Sequence, residues 1–362
     1  MHEDPREAIE ELLRRASAAH LVEERWRIGH EAARLADYYG VEPELRYRAN
    51  RKAFRGAAFS GRTSEALVAF GRLVAAYDTD PELTSPTIFL SDYGMAIGEL
   101  ICLKIPRAEV EKSLTDFKLR LERAGFSPRA FHRLRWALCR DMGLAQEAER
   151  AYQAAKQYPR DALADCLACE TDNAVEIALE AQDMVQAERL AAPLFEGDLS
   201  CGSKPAVTYS RFLRPYFFEG RFEDAERCFR LGLPGVRGSR AQIGWAADFL
   251  EYLAFVGDPQ RGGDLAREIL ELLPEVESRH CSFECYRVLA LWLECRESLS
   301  LHSLPRGAPP GAGSDPGLLR QWARNQAVEL GELLDERNKT PRYAERILEG
   351  EGLLRRAREL RP

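Results

Sequence analysis

One local pattern returns six times along this 362-residue chain and restricts its fold more than any other feature. In full it is a glycine, a short polar turn, a small residue five positions on, an aromatic or apolar residue four later, and a proline after the run. Gly61 with Ala66 and Phe70, Gly143 with Ala148, Tyr152 and Pro159, and Gly220 with Ala225 and Phe229 are its clearest copies. Weaker copies centre on Ala108, Ala187 and Gly262, the last followed by Ala266, Ile269 and Pro274. The small residues at 66, 108, 148, 187, 225 and 262 are 42, 40, 39, 38 and 37 positions apart. Self-similarity at such a period marks stacked supersecondary units. The small residue lets the second helix of a pair approach the first, and the aromatic fills the groove between pairs. A single pair leaves an apolar face exposed, so the copies have to stack.

Apolar residues at three- and four-residue spacing support helices almost throughout, as in Ala8, Ile9, Leu12 and Leu13, or Leu265, Ile269, Leu270 and Leu273. Val, Ile and Thr together number only 31, too few for an extensive sheet. The expected fold is therefore all-α, an α-solenoid of antiparallel helical pairs with a period of about 37–42 residues. Residues 1–42 read as an N-terminal helical pair that caps the array and 43–298 as the array itself. Residues 299–317, with Pro305, Pro309, Pro310 and Pro316, read as a Pro/Gly-rich linker, and 318–362 as C-terminal capping helices.

The run Gly143-Leu144-Ala145-Gln146-Glu147-Ala148-Glu149-Arg150-Ala151-Tyr152 resembles the turn and second helix of a tetratricopeptide repeat (TPR). Gly220-Arg221-Phe222-Glu223-Asp224-Ala225-Glu226-Arg227-Cys228-Phe229 is similar in the same way. The resemblance covers roughly residues 43–275, with a period longer than the ~34 residues of regular repeats. It implies a protein-binding scaffold whose first helices line a concave groove.

Charge and composition narrow the function classes. With 51 Lys and Arg against 58 Asp and Glu, the net charge is −7, which argues against a general nucleic-acid binder. The start, Met1-His2-Glu3-Asp4-Pro5-Arg6-Glu7, lacks the apolar region of a secretory signal, and no apolar run is long enough to span a bilayer. Both observations, with nine cysteines, an odd number, point to a reduced cytoplasmic protein that has no membrane partner. No H-E-x-x-H, P-loop, dinucleotide fingerprint or G-x-S-x-G is present, so an enzyme is not expected.

Two clusters carry candidate chemistry. Arg46, Arg48, Arg51, Lys52, Arg55 and Arg62 form a basic ladder with no acid between residues 46 and 62, and Arg48, Arg51 and Arg55 share one helical face. The resemblance turns that face into the groove, together with Arg133, Arg140 and Arg214. Guanidinium groups there would grip the carboxylates of a protein or peptide, an acidic one by preference. The competing expectation is that these arginines are solvated or paired with acids such as Asp172, Glu176, Asp248 and Glu251. The second cluster is Cys166 and Cys169, a C-x-x-C, with Cys201 just ahead of the next repeat's first helix. Three thiolates suit zinc, with Asp165, Glu170 or His132 as candidates for a fourth ligand. His280, Cys281, Glu284 and Cys285 offer a weaker metal-ligand spacing on a single helix.

The expected function is thus a non-enzymatic adaptor that binds a peptide or helix in a concave groove. A peptide-responsive regulator and a zinc or thiol sensor built on the three cysteines are the alternatives.

Overall fold

In a computed structural model, residues 4–296, 298, 304 and 307–361 are described. Among them there are seventeen α-helices and no strand, and consecutive helices pack as antiparallel pairs, giving the all-α solenoid architecture. No helix among the described residues is long and apolar enough to cross a membrane. The chain forms two compact units. The first runs to Ala164 and includes Glu277–Arg279 and Arg337–Thr340; the second holds Asp165–Val276, His280–Glu336 and the chain from Pro341 on. The boundary at Ala164 and Asp165 thus falls inside the stretch 43–298 that composition groups as a single array.

In the first unit the helices are α1 Pro5–Ala18, α2 Val22–Tyr39, α3 Pro43–Phe59, α4 Thr63–Thr79, α5 Pro86–Leu100, α6 Arg107–Arg123, α7 Arg129–Asp141 and α8 Ala145–Lys156. Odd-numbered helices also pack on one another, α1 on α3, α3 on α5 and α5 on α7, so the first helices of successive pairs lie side by side. Gly61 and Gly143, the glycines of the repeat signature, turn the chain between the helices of a pair with φ of 72° and 75°, a left-handed conformation that costs glycine nothing. Close approach follows from small residues. A side chain at Gly56 would meet the backbone of Trp26 at 2.8 Å, and one at Gly29 would meet the Lys52 stem at 3.1 Å, so α2 and α3 touch nearly backbone to backbone.

The second unit contains α9 Leu167–Glu180, α10 Met184–Phe195, α11 Ala206–Phe218, α12 Phe222–Gly232, α13 Ile243–Val256, α14 Pro259–Leu272, α15 Arg279–Leu293, α16 Pro316–Asn338 and α17 Arg342–Leu360, with the first residue of α15 and the last two of α16 assigned to the first unit. Here too α9 packs on α11 and α11 on α13. Five of the six small residues are buried: Ala66, Ala148, Ala187, Ala225 and Gly262. Gly262 is fixed by contact, since a Cβ there would lie 2.1 Å from the buried Trp292 indole nitrogen.

One expected register is corrected. Ala108 is exposed, because α6 starts only at Arg107 after Pro106 and buries Val110, Leu114, Phe117 and Leu121 instead, a register two residues later. α15 ends at Leu293, and residues 299–303, 305 and 306 of the expected linker lie outside the described residues. Between the flexible linker and the ordered surface loop that its composition allows, the described C-terminal part is packed. Ala312 is fully buried beside Leu319 and Ala323 in the core of the second unit, and α16 begins at Pro316. The last helix, α17 of the second unit, also makes ion pairs to Arg214 and Glu284.

Candidate functional site

The basic ladder of α3 lies beside α1 and bounds a concavity of about 650 Å³ lined by Glu10, Leu13, Arg14, Ser17 and Ala18 of α1 and Arg48, Arg51, Lys52 and Arg55 of α3. The cations differ in how far they are neutralised. Arg48 makes a two-pronged contact with Glu10, at 2.7 and 2.9 Å. Arg51 and Arg55 share one carboxylate, Asp92 of α5, at 2.5 and 2.8 Å; its side chain is 0% exposed while theirs are 31% and 33% exposed. Arg14 pairs, among the described residues, with Glu11 on the solvent side. Among the described residues Lys52 makes no ion pair: its ammonium donates to the Ser17 hydroxyl at 2.9 Å. Burial and the neighbouring guanidiniums of Arg25, Arg51 and Arg55 push its pKa below that of an ordinary lysine. Four of these five cations thus pair with three acids, Glu10, Glu11 and Asp92, and Lys52 with none among the described residues.

The other proposed groove arginines go elsewhere. Arg133 and Arg140 sit half-buried on α7, Arg140 against the Trp136 ring, and neither lines this concavity. Arg214 of α11 is engaged within its own unit, by Glu251 of α13 and Glu349 of α17, both at 2.9 Å. Of the acids named as alternative partners, Glu251 does take one of these arginines, Arg214, while Asp172 and Glu176 pair with other cations. Asp172 holds Lys204 and Arg211, Glu176 also pairs with Arg211, and Glu251 lies between Arg214 and Arg287.

This second set of pairs is a buried network. Arg287 of α15, 3% exposed, bridges Glu251 and Glu284, and Arg346 of α17 reaches Glu284 at 2.6 Å. Gly350 of α17 sits directly over Arg287 and Leu291. The last helix therefore covers the charged face of α11, α13 and α15 with its own Arg346 and Glu349. Sequence reasoning missed this, because the polar composition of residues 341–359 fits an end cap equally well.

Half-buried Asp248 is the network's unbalanced member. Burial and the nearby carboxylates of Glu251 and Glu284 push it up to about 7, against Arg214 and the Ser210 hydroxyl. Glu251 shifts the other way: burial raises it, but Arg214 and Arg287 bring it down to about 2. A carboxyl with a raised folded pKa stabilises at low pH and loses that contribution as pH climbs through its folded pKa; a depressed one loses its contribution as pH falls. Asp248 should therefore destabilise the fold progressively between about pH 4 and about pH 7. Its full shift corresponds to about 4 kcal/mol, of which partial exposure leaves about 2 kcal/mol. Asp248→Asn is expected to raise the melting temperature near neutral pH and to leave it unchanged near pH ~4. Equal effects at both pH values would contradict that assignment.

The three sequence-selected cysteines come together. The sulfurs of Cys166, Cys169 and Cys201 all lie within 4.8 Å of one another, and those of Cys169 and Cys201 are 3.8 Å apart. No imidazole or carboxylate of the described residues joins them within that distance. His132 instead stacks on Tyr158. The His280 to Cys285 spacing forms no such group: His280 meets the Tyr343 hydroxyl, Glu284 is held by Arg287 and Arg346, and Cys285 is buried.

No protein-family model matches the chain, and no curated protein is significantly similar to it.

Proposed function

We propose that this protein is a non-enzymatic, tetratricopeptide-like scaffold that binds an acidic segment of another protein in the concavity between α1 and α3. The observation that carries this reading is Lys52, a half-buried ammonium that has no carboxylate partner among the described residues and sits among cations that outnumber the acids paired with them. A glutamate or aspartate side chain entering there would give Lys52 the counter-ion it lacks and would find exposed Arg14 and Arg48 at the rim. The aliphatic wall of Leu13 and Ala18 supplies apolar contact for the segment's own chain. The repeat signature and the side-by-side first helices support the scaffold reading, since this is the face on which such repeats hold their ligands. In the second unit the corresponding charges are already covered by α17, which favours the first unit as the receptor.

Titration of a labelled glutamate-rich peptide against wild type and Lys52→Glu tests the reading. Saturable binding that weakens at least about 10-fold in the variant and falls steeply with salt is expected. Equal affinity for the peptide and its glutamine counterpart would refute it.

A further inference from the structure

We infer that Cys166, Cys169 and Cys201 form a zinc site with an open fourth position, a clasp that ties the start of α9 to the turn preceding α11. The sulfur geometry carries the inference. Zinc bonded to thiolates at ~2.3 Å in a tetrahedron places its sulfurs about 3.8 Å apart. Cys169 and Cys201 show that separation, 3.8 Å, and Cys166 completes a triangle within 4.8 Å.

The arrangement is built by the backbone and by a buried ion pair. Cys166 is the N-cap of α9, which puts Cys169 in the helix's first turn, directly beside it. Cys201 opens a tight turn closed by reciprocal backbone hydrogen bonds with Lys204, at 3.3 and 3.1 Å. Asp172, one turn beyond Cys169 and buried, pairs with the Lys204 ammonium at 2.8 Å and accepts from Thr208 and Arg211. That bond fastens the turn to α9 and presents Cys201 to the other two sulfurs before any metal arrives. Binding is written as Zn²⁺ plus three thiols giving a tris-thiolate zinc centre of net charge −1 and three protons, with solvent water as the fourth ligand. Cys166 and Cys201 are exposed, so that fourth position is open to solvent and to small thiols or imidazole.

The test uses the full chain, fully reduced, with zinc and cobalt(II) as probes. After incubation with zinc and desalting, about one equivalent should remain. Cobalt(II) should give thiolate-to-metal charge transfer and the visible bands of a tetrahedral site, shifted on adding imidazole. Cys169→Ser and Cys201→Ser should each weaken zinc binding at least about 100-fold, beyond the usual cost of losing an outer-shell partner, whereas Cys102→Ser should not. Should the serine variants fail to fold, the wild-type cobalt spectrum decides. Absence of a tetrahedral cobalt spectrum from reduced, folded wild type would overturn the proposal, as would a Cys102→Ser effect equal to theirs. A spectrum that imidazole leaves unchanged would overturn the open fourth position.

Discussion

Replacing Arg287 with methionine is expected to destabilise the protein by about 3–5 kcal/mol, because it removes one member of a buried charge network and leaves the others in place. Arg287 donates to Glu251 at 2.7 Å and to Glu284 at 2.9 Å from a side chain only 3% exposed. Methionine preserves the length and apolar stem, so packing is nearly maintained and the loss reports electrostatics. Glu251 keeps Arg214 and Glu284 keeps Arg346, but each loses half its compensation. A pH signature follows from the depressed pKa of Glu251. The native pair stabilises above the ordinary carboxylate range and loses that contribution as pH falls toward about 2, so the deficit of the variant should shrink with acidification. Adding Glu251→Gln to Arg287→Met should recover part of the loss, since one stranded charge is then gone. Urea unfolding of the two variants measures both effects. A deficit below about 1 kcal/mol at neutral pH would contradict the network's role.

Asp92→Asn is the second large effect, expected at about 3 kcal/mol. The Asp92 carboxylate is the point at which α5 is fastened to α3, with Arg51 and Arg55 both donating to it. Asparagine keeps the volume and one acceptor but removes the acid that, among the described residues, pairs with both guanidiniums, each about a third exposed. Water replaces part of the lost interaction, which holds the effect below that of a fully buried pair. Chemical denaturation checks it; a change under about 0.5 kcal/mol would mean that the two arginines are solvated rather than anchored. Reversing Arg48, Arg51 and Arg55 together would set acids against Glu10 and Asp92 and so confound folding with binding. Lys52, partnered by a hydroxyl alone, avoids this.

Local features were legible in the sequence and partners distant along the chain were not. Gly61, Ala66 and Phe70 announce a helical pair because the turn, the close approach and the groove-filling ring all lie within ten residues. Ala108 shows the limit of that logic: the register of α6 depends on where Pro106 lets the helix start, and Val110 takes the buried place. The basic ladder is plain as a run of arginines, but Glu10 and Asp92 lie 38 and 41 residues away from Arg48 and Arg51 and become partners only when α1, α3 and α5 align. Cys201 could be placed beside Cys166 and Cys169 because first helices of neighbouring pairs run side by side. Coverage of the α11, α13 and α15 face by α17 was not legible, since a polar amphipathic helix reads alike over an end or a groove.

The central claim is that an acidic segment docks against Lys52. Zero-length carbodiimide coupling of a glutamate-rich peptide, mapped by mass spectrometry, tests it directly, because the chain has only seven lysines and the depressed pKa of Lys52 favours its reaction as the free amine. A dominant cross-link from a peptide glutamate to Lys52 that disappears at high salt is expected. Cross-links spread over the other lysines, with Lys52 unmodified, would contradict it.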